Sequence, residues 1–281
     1  MRALIKLHPR LGNEFLTKHV YPRLREEGME HELLPEDISA DCAEITAQGD
    51  FVIVFGGDGT FLSGALVAHC LNIPVTGVEV GHLGFLCQQS LDRLPELLTV
   101  VRDGRCLVEE RHVLSCSVPC DGEEGKERTA INDVVVGIAD MTRLAPVTVF
   151  IGGETLATFR GDGIVVASAT GSTAYSLAAG GPLLEPTSTN IVITPICAHT
   201  LFAKPFVVDG TREVDLRVEC SEPEVFVSID GRKVMKLWPG CAAKITLHER
   251  PLKVARMEEP THFQVLREKF GWGFEFKGSG A

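Results

Sequence analysis

Five consecutive apolar residues, Phe51-Val52-Ile53-Val54-Phe55, run directly into Gly56-Gly57-Asp58-Gly59-Thr60. No other feature of the chain narrows its fold as much. A strand with no polar alternation must be covered on both faces, which is the situation of a central parallel strand in an α/β sheet. A glycine turn at the C-terminal end of such a strand, leading into a helical stretch over 60–71, is where open α/β sheets bind ligands. Residues 2–7 read as a neighbouring strand, 14–27 as a helix and 74–79 as the next strand. Leu94, Leu97, Leu98 and Val101 lie at helical spacing. Strand and helix alternate in the order expected of a doubly wound, Rossmann-like α/β domain, here over 1–108.

Beyond Arg111 the texture changes to short β-rich runs divided by Gly122, Gly125, Gly152-Gly153, Asp230-Gly231 and Pro239-Gly240. Asp230-Gly231 between two apolar-rich runs is a two-residue hairpin signal. A β-rich, ligand-binding domain is therefore expected over 109–259. A last helix should open at the capping box Thr261/Gln264 and stop at Gly271. The segment 260–281 is expected to pack back on the N-terminal domain. A chain of 281 residues suits two modest domains.

Lys and Arg number 27 against 38 Asp and Glu, a formal charge of −11. General binding to nucleic acid or to anionic membranes is disfavoured by that balance. The N-terminal residues carry no signal-peptide core, and the apolar stretches fall short of a membrane span, so a cytoplasmic protein is expected. Nine cysteines without a Cys-x-x-Cys pattern are read as reduced thiols, mostly small core residues.

Three segments carry chemistry. The first is the glycine turn. It has no Gly-Lys-Ser/Thr and is not a Walker loop; read as a Rossmann fingerprint, it puts Leu62 at the third glycine. Its glycines and helix N-terminus suit a phosphate. Asp58 would repel a bare phosphate, which implies a hydroxyl or a metal; the alternative is a plain turn with Asp58 as N-cap. The second runs from Phe159-Arg160-Gly161-Asp162-Gly163 through Thr170-Gly171-Ser172-Thr173-Ala174-Tyr175 to Gly180-Gly181-Pro182. Its hydroxyls supply neutral donors and acceptors for a sugar or a diphosphate; a Gly/Ser/Thr packing turn is the alternative. The third is Asn132-Asp133, two polar residues inside an apolar run, which calls for a ligand, a bulge or an edge strand.

These segments, with Gly81-His82-Leu83-Gly84-Phe85-Leu86, Thr194-Pro195-Ile196, Leu201 to Pro205, Ser228-Ile229-Asp230-Gly231 and Leu266-Arg267-x-Lys269-x-x-Trp272, resemble the NAD kinase family in its own order. Thr170–Pro182 is the specific part; turns like 56–60 also occur in lipid kinases and phosphofructokinases. The resemblance implies NAD bound between an α/β and a β-rich domain. It makes Asp58 the essential catalytic residue at the ribose 2′-hydroxyl and assigns Asn132 and Asp133 to the nicotinamide-side ribose. It puts Phe85 and Thr173, Ala174, Tyr175, Ser176, Leu177 and Ala178 around the adenosine end, and has Arg143, Arg160, Asp162, Thr170 and Arg232 line the nucleotide site. Gly56, Gly57, Gly59 and Thr60 then serve the donor phosphates, with Gly59 also near NAD. Asp133 stands where Glu is more usual, Ala169 for a common Pro, Lys204 for Arg, Arg232 for Gln and Glu79 for Asn.

The implied reaction moves the terminal phosphoryl group of ATP, or of polyphosphate, to the 2′-hydroxyl of NAD's adenosine ribose, giving NADP, with Mg²⁺ or another divalent metal. Such transfers rest on alignment and electrostatics. An ordinary aspartate, of pKa about 3.9, is a weak base toward an alcohol, so it orients the hydroxyl and takes its proton late. Arg143, Arg160, Lys204 and Arg232 are the candidate cations near the phosphates. The resemblance also implies a homodimer or homotetramer. A kinase of the same superfamily acting on a lipid or sugar phosphate leaves Thr170–Pro182 unexplained, and a non-catalytic dinucleotide sensor has no need of Asp58.

Overall fold

The structure is a computed structural model that describes residues 1–38, 42–81, 84–119, 126–138, 144–200, 202–219 and 221–272. Its first sheet orders the strands Glu30–Leu33, Arg2–Leu7, Phe51–Gly56, Val75–Glu79, Leu252–Arg256 and Leu107–Arg111, with Gln89–Ser90 also paired to Val75–Glu79. All pairs are parallel except Leu252–Arg256 with Leu107–Arg111. The apolar run is central. Phe51, Ile53 and Phe55 face Leu16, Val20, Leu24, Leu94 and Leu97 on one side. Val52 and Val54 face Phe61, Ala65 and Ala68 of the Asp58–Leu71 helix on the other. Helices on both faces account for the missing alternation.

The helical stretch expected over 14–27 is broken into Gly12–Phe15, a π-helical Leu16–Val20 and Tyr21–Glu26. Pro22 lacks an N–H, and in the turn before it the ladder slips so that Tyr21 N–H bonds Leu16 O. After Arg2–Leu7 the chain crosses one face of the sheet; after Phe51–Gly56 it crosses the other. The connections leaving the C-terminal ends of these adjacent strands therefore diverge and leave a crevice, the topological switch point of a doubly wound sheet.

The other two sheets are antiparallel. One orders Glu154–Gly161, Ala145–Ile151, Val214–Val218, Ala242–Leu247, Leu114–Ser117 and Glu127–Ala130; the other orders Phe206–Asp209, Asn190–Ile196, Gly163–Ala167, Asp133–Ile138, Val225–Ile229 and Arg232–Leu237. They enclose one apolar core that includes Val134, Val136, Val147, Ile164, Leu216 and Val227. The hairpin at Asp230-Gly231 forms as expected, with φ of 48° and 76°. So does the capping box at Thr261, and the helix His262–Phe270 ends at left-handed Gly271.

Two expectations are corrected. Leu252–Arg256, inside the stretch read as one β-rich domain over 109–259, returns to the first sheet, and Leu107–Arg111 straddles the boundary near 108. Cys42 and Cys70 are joined in a disulfide, with Cα atoms 5.2 Å apart, so the nine cysteines are not all free thiols. The short turn Cys42–Glu44 lies against the C-terminal end of the Asp58–Leu71 helix, which brings together residues 28 apart in sequence.

Candidate active site

The crevice at the switch point is a cavity of about 600 Å³. Gly56, Gly57, Gly59 and Thr60 form one wall and Lys6, His8 and Arg10 another, and Glu36, Asp37, Ser63 and Arg232 complete it. The helix N-terminus opens into it, its first N–H groups available to an anion. Asp58 is the first residue of that helix, and it caps nothing there. Its carboxylate accepts backbone N–H bonds from Phe85 (2.9 Å), Leu86 (2.9 Å) and Cys87 (3.2 Å). A Cβ at Gly84 would collide with that carboxylate, so the loop needs glycine to come this close. The N-cap alternative is thereby set aside; Asp58 is an oriented acceptor between two loops.

The polar break at Asn132-Asp133 turns out to be a corner. Glu127–Ala130 ends in one antiparallel sheet and Asp133–Ile138 begins in the other, where it is a central strand. The edge-strand alternative fails: Asn132 is 9% exposed and Asp133 5%. Asp230, from the hairpin turn, holds the corner by accepting N–H bonds from Ile131 (2.8 Å), Asn132 (2.7 Å) and Asp133 (3.2 Å). Burial, followed by the neighbouring Asp230, pushes the Asp133 carboxyl up to about 7. Burial also raises Asp230, against the pull of its three N–H donors.

The third segment docks on this corner. Ser168 N–H bonds Asn132 O (2.9 Å), and Ser168 Oγ donates to Ile131 O (2.7 Å). Gly171 sits so close to the Asn132 carbonyl that a Cβ would strike it. The short helices Thr170–Thr173 and Tyr175–Ala178 follow. Ser176 Oγ shares a bond with Thr194 Oγ1 and is spent on packing. Tyr175 is exposed; its phenol is raised by burial and by the nearby Cys197, Asp162 and Asp133. Among the described residues nine buried side-chain polar atoms have no partner, and two of them, Asn132 Oδ1 and Thr170 Oγ1, lie at this junction. Unpaired buried polar atoms are costly and rare. Here they coincide with residues already singled out for a dinucleotide.

The structure thus brings Asn132, Asp133, Asp162, Thr170 and Tyr175 together, with half-buried Thr173, Ala174 and Leu177 and exposed Ala178 alongside. Phe85 lies 5.9 Å from Phe270, ring to ring, which brings the last helix to the Asp58 loop. Arg160 and Lys204 are exposed. Arg232 reaches the other way: its guanidinium bonds Ile38 O (3.0 Å) and Ser63 Oγ (2.8 Å), on the phosphate-side cavity. Arg143, His82, Leu83 and Leu201 lie outside the described residues. Two residues beyond the sequence reading belong to the site. Asp230, which the sequence marks as a turn former and as part of a motif shared with the resembling family, fixes the corner, and Lys6, to which the sequence assigns no role, lines the cavity.

Residues 9–106 match the family model of the ATP-NAD kinase N-terminal domain, and residues 131–257 that of the C-terminal domain. The chain belongs to the NAD kinase family. An NAD kinase of Clostridium perfringens is 38% identical over 221 residues, covering 78% of this chain and 79% of that protein. One of Geobacter sulfurreducens is 34% identical, covering 86% and 82%. An Archaeoglobus fulgidus NAD kinase solved in complex with ATP superposes with a TM-score of 0.75 at 26% identity, over 96% of this chain and 98% of that one. Yeast NADH kinase complexed with NADH shares the fold, with a TM-score of 0.82 at 22% identity, over 100% and 90%. Asp133 and Arg232 fall on opposite sides of this site, one at the buried corner and one at the open cavity.

Proposed function

We propose that this chain transfers the terminal phosphoryl group of ATP to the 2′-hydroxyl of NAD's adenosine ribose, giving NADP, and that Asp58 is the catalytic residue. The orphaned acceptors Asn132 Oδ1 and Thr170 Oγ1 carry the reading for the dinucleotide, because they are the groups a ribose or amide donor would satisfy. Asn132 and Asp133 hold the nicotinamide-side ribose. Phe85 and the Thr173–Ala178 segment, with Arg143, Arg160, Asp162 and Thr170, surround the rest. Gly56, Gly57, Gly59 and Thr60 take the donor phosphates at the helix N-terminus. A division into two units, with Leu107–Arg111 and Leu252–Arg256 joined to the first sheet and 260–281 closing on the first unit, belongs to the same reading.

Three N–H donors hold the Asp58 carboxylate in one orientation, with lone pairs left to accept the 2′-hydroxyl. Orientation of the attacking oxygen is the main demand of a loose phosphoryl-transfer transition state; the proton follows to Asp58 once the new O–P bond has formed. Among the described residues no group of three or more His, Cys, Asp or Glu side chains could hold a metal by itself. Mg²⁺ is commonly bound by donor phosphates, water and one or two carboxylates. Glu36 and Asp37, which line the cavity, would be the carboxylates to hold it. When bound, it neutralises charge on the donor phosphates.

The test is incubation of the purified chain with NAD, ATP and Mg²⁺, coupled to an NADP-specific dehydrogenase. NADP should form and should stop on chelation of the metal; no NADP with ATP or with polyphosphate, at any metal concentration, would refute the reading. Polyphosphate in place of ATP distinguishes the two donors. The cytoplasm, where ATP and NAD are available together, and a homodimer or homotetramer complete the proposal. Sedimentation velocity counts the subunits.

A further inference from the structure

We propose that Lys6 binds the polyphosphate tail of the phosphoryl donor, as one of a pair with Arg232; this rests on the reading above that a donor occupies the cavity at residues 56–60. Lys6 sits in the otherwise apolar strand Arg2–Leu7 and is only 3% exposed. Lysine is almost never so buried without a counter-charge. Among the described residues none of its contacts is an ion pair: Nζ donates to Pro35 O (2.6 Å) and Glu36 O (2.5 Å). Two carbonyls orient an ammonium without neutralising it. They use two of its three N–H groups, and the side chain lines the cavity.

Arg232 is held in the same manner. Its bonds to Ile38 O and Ser63 Oγ leave most of its five N–H groups free. Both cations are therefore tied to one short segment, residues 35–38, which aims them at the same space. Burial and the nearby Arg232 lower the Lys6 pKa, while Asp37 and Glu36 oppose this. Two cations kept within reach of each other are stabilised together by a ligand of several negative charges, and a single carboxylate would leave one unpaired. The glycine turn and helix N-terminus on the facing wall offer N–H groups to the same ligand. A polyphosphate chain meets all of these groups. The dinucleotide acceptors Asn132 and Thr170 are not on this wall, which assigns the pair to the donor and not to NAD.

The test compares wild type with Lys6→Met, Lys6→Arg and Arg232→Gln, with inorganic tripolyphosphate as a probe that has no base or sugar. Tripolyphosphate should inhibit wild type competitively with ATP. In Lys6→Met, the KM for ATP and the tripolyphosphate inhibition constant should both rise about tenfold or more, the scale of one charge-assisted hydrogen bond. The KM for NAD should stay within about twofold. The increase of the ATP KM with salt should be shallower than in wild type, because one screened charge is gone; a merely loosened 35–38 segment would not change that slope. Lys6→Arg should recover most of the affinity. Should Lys6→Met fail to fold, Arg232→Gln, altered at an exposed residue, must show the same weakening of tripolyphosphate. Wild type that makes NADP, with ATP and tripolyphosphate binding unchanged in both neutral variants, overturns the inference. Equal losses for ATP and NAD also overturn it. Wild type that makes no NADP refutes the underlying reading instead.

Discussion

The cavity beside the first sheet and the corner between the two antiparallel sheets are built on opposite principles. The cavity is open, and key polar groups in and beside it already have protein partners: Asp58, next to the lining glycines, holds three N–H groups, Lys6 two carbonyls, and Arg232 a carbonyl and a hydroxyl. The corner is closed, yet among the described residues Asn132 Oδ1 and Thr170 Oγ1 lack partners, and Asp133 is raised to about 7. A donor that must come and go as a multiply charged chain suits pre-aimed cations and backbone N–H groups. An acceptor that must be chosen by its hydroxyls suits buried acceptors that stay costly until filled. The Asp230-Gly231-Arg232 turn joins the two: one hairpin fixes the corner through Asp230 and reaches the cavity through Arg232.

The sharpest way to break this contrast is Asp58→Asn, which keeps size and one acceptor and removes the charge. Turnover should fall at least about a hundredfold; more than about a tenth of the wild-type kcat, a loss under roughly 1.4 kcal/mol, would take Asp58 out of the catalytic role. Next is Asn132→Ala/Asp133→Ala. Its KM for NAD should rise on the order of tenfold to a hundredfold, since NAD hydroxyls would meet no acceptors, with the KM for ATP little changed. Unchanged constants in steady-state assays would remove the pair from the site.

A smaller effect concerns stability. With Asp133 raised to about 7, the folded protein holds a proton that the unfolded chain releases near pH 4. The stability linked to that proton is complete below about pH 4 and is lost as pH rises through about 7. Asp133→Asn resembles the neutral form throughout. Its advantage over wild type in urea unfolding should grow across this window by a few kcal/mol at most and then level off. A difference that stays constant from pH 4 to pH 8 would contradict the buried-carboxyl account.

Much of the scaffold was legible because its signals are local. The apolar run at 51–55, the Asp230-Gly231 turn and the Thr261/Gln264 box each declare themselves within a few residues. The polar break at 132–133 was legible as an anomaly, though not as a corner between sheets. The rest depended on partners remote in sequence. Lys6 meets carbonyls 29 and 30 residues away, and Asp230 meets N–H groups 97 to 99 residues away. Cys70 finds Cys42 across a strand and a helix. Leu252–Arg256 carries the pattern of any half-buried strand, and only tertiary pairing returns it to the first sheet.

The claim that the affinity for NAD resides mainly at the corner, while Asp58 orients the 2′-hydroxyl for transfer, is tested most directly by calorimetric titration of NAD into Asp58→Asn. NAD should bind with the wild-type Kd, within about threefold, while NADP formation is abolished. Loss of NAD binding together with turnover would show that the Asp58 contact, and not the corner, supplies most of the affinity for NAD, and would contradict the account.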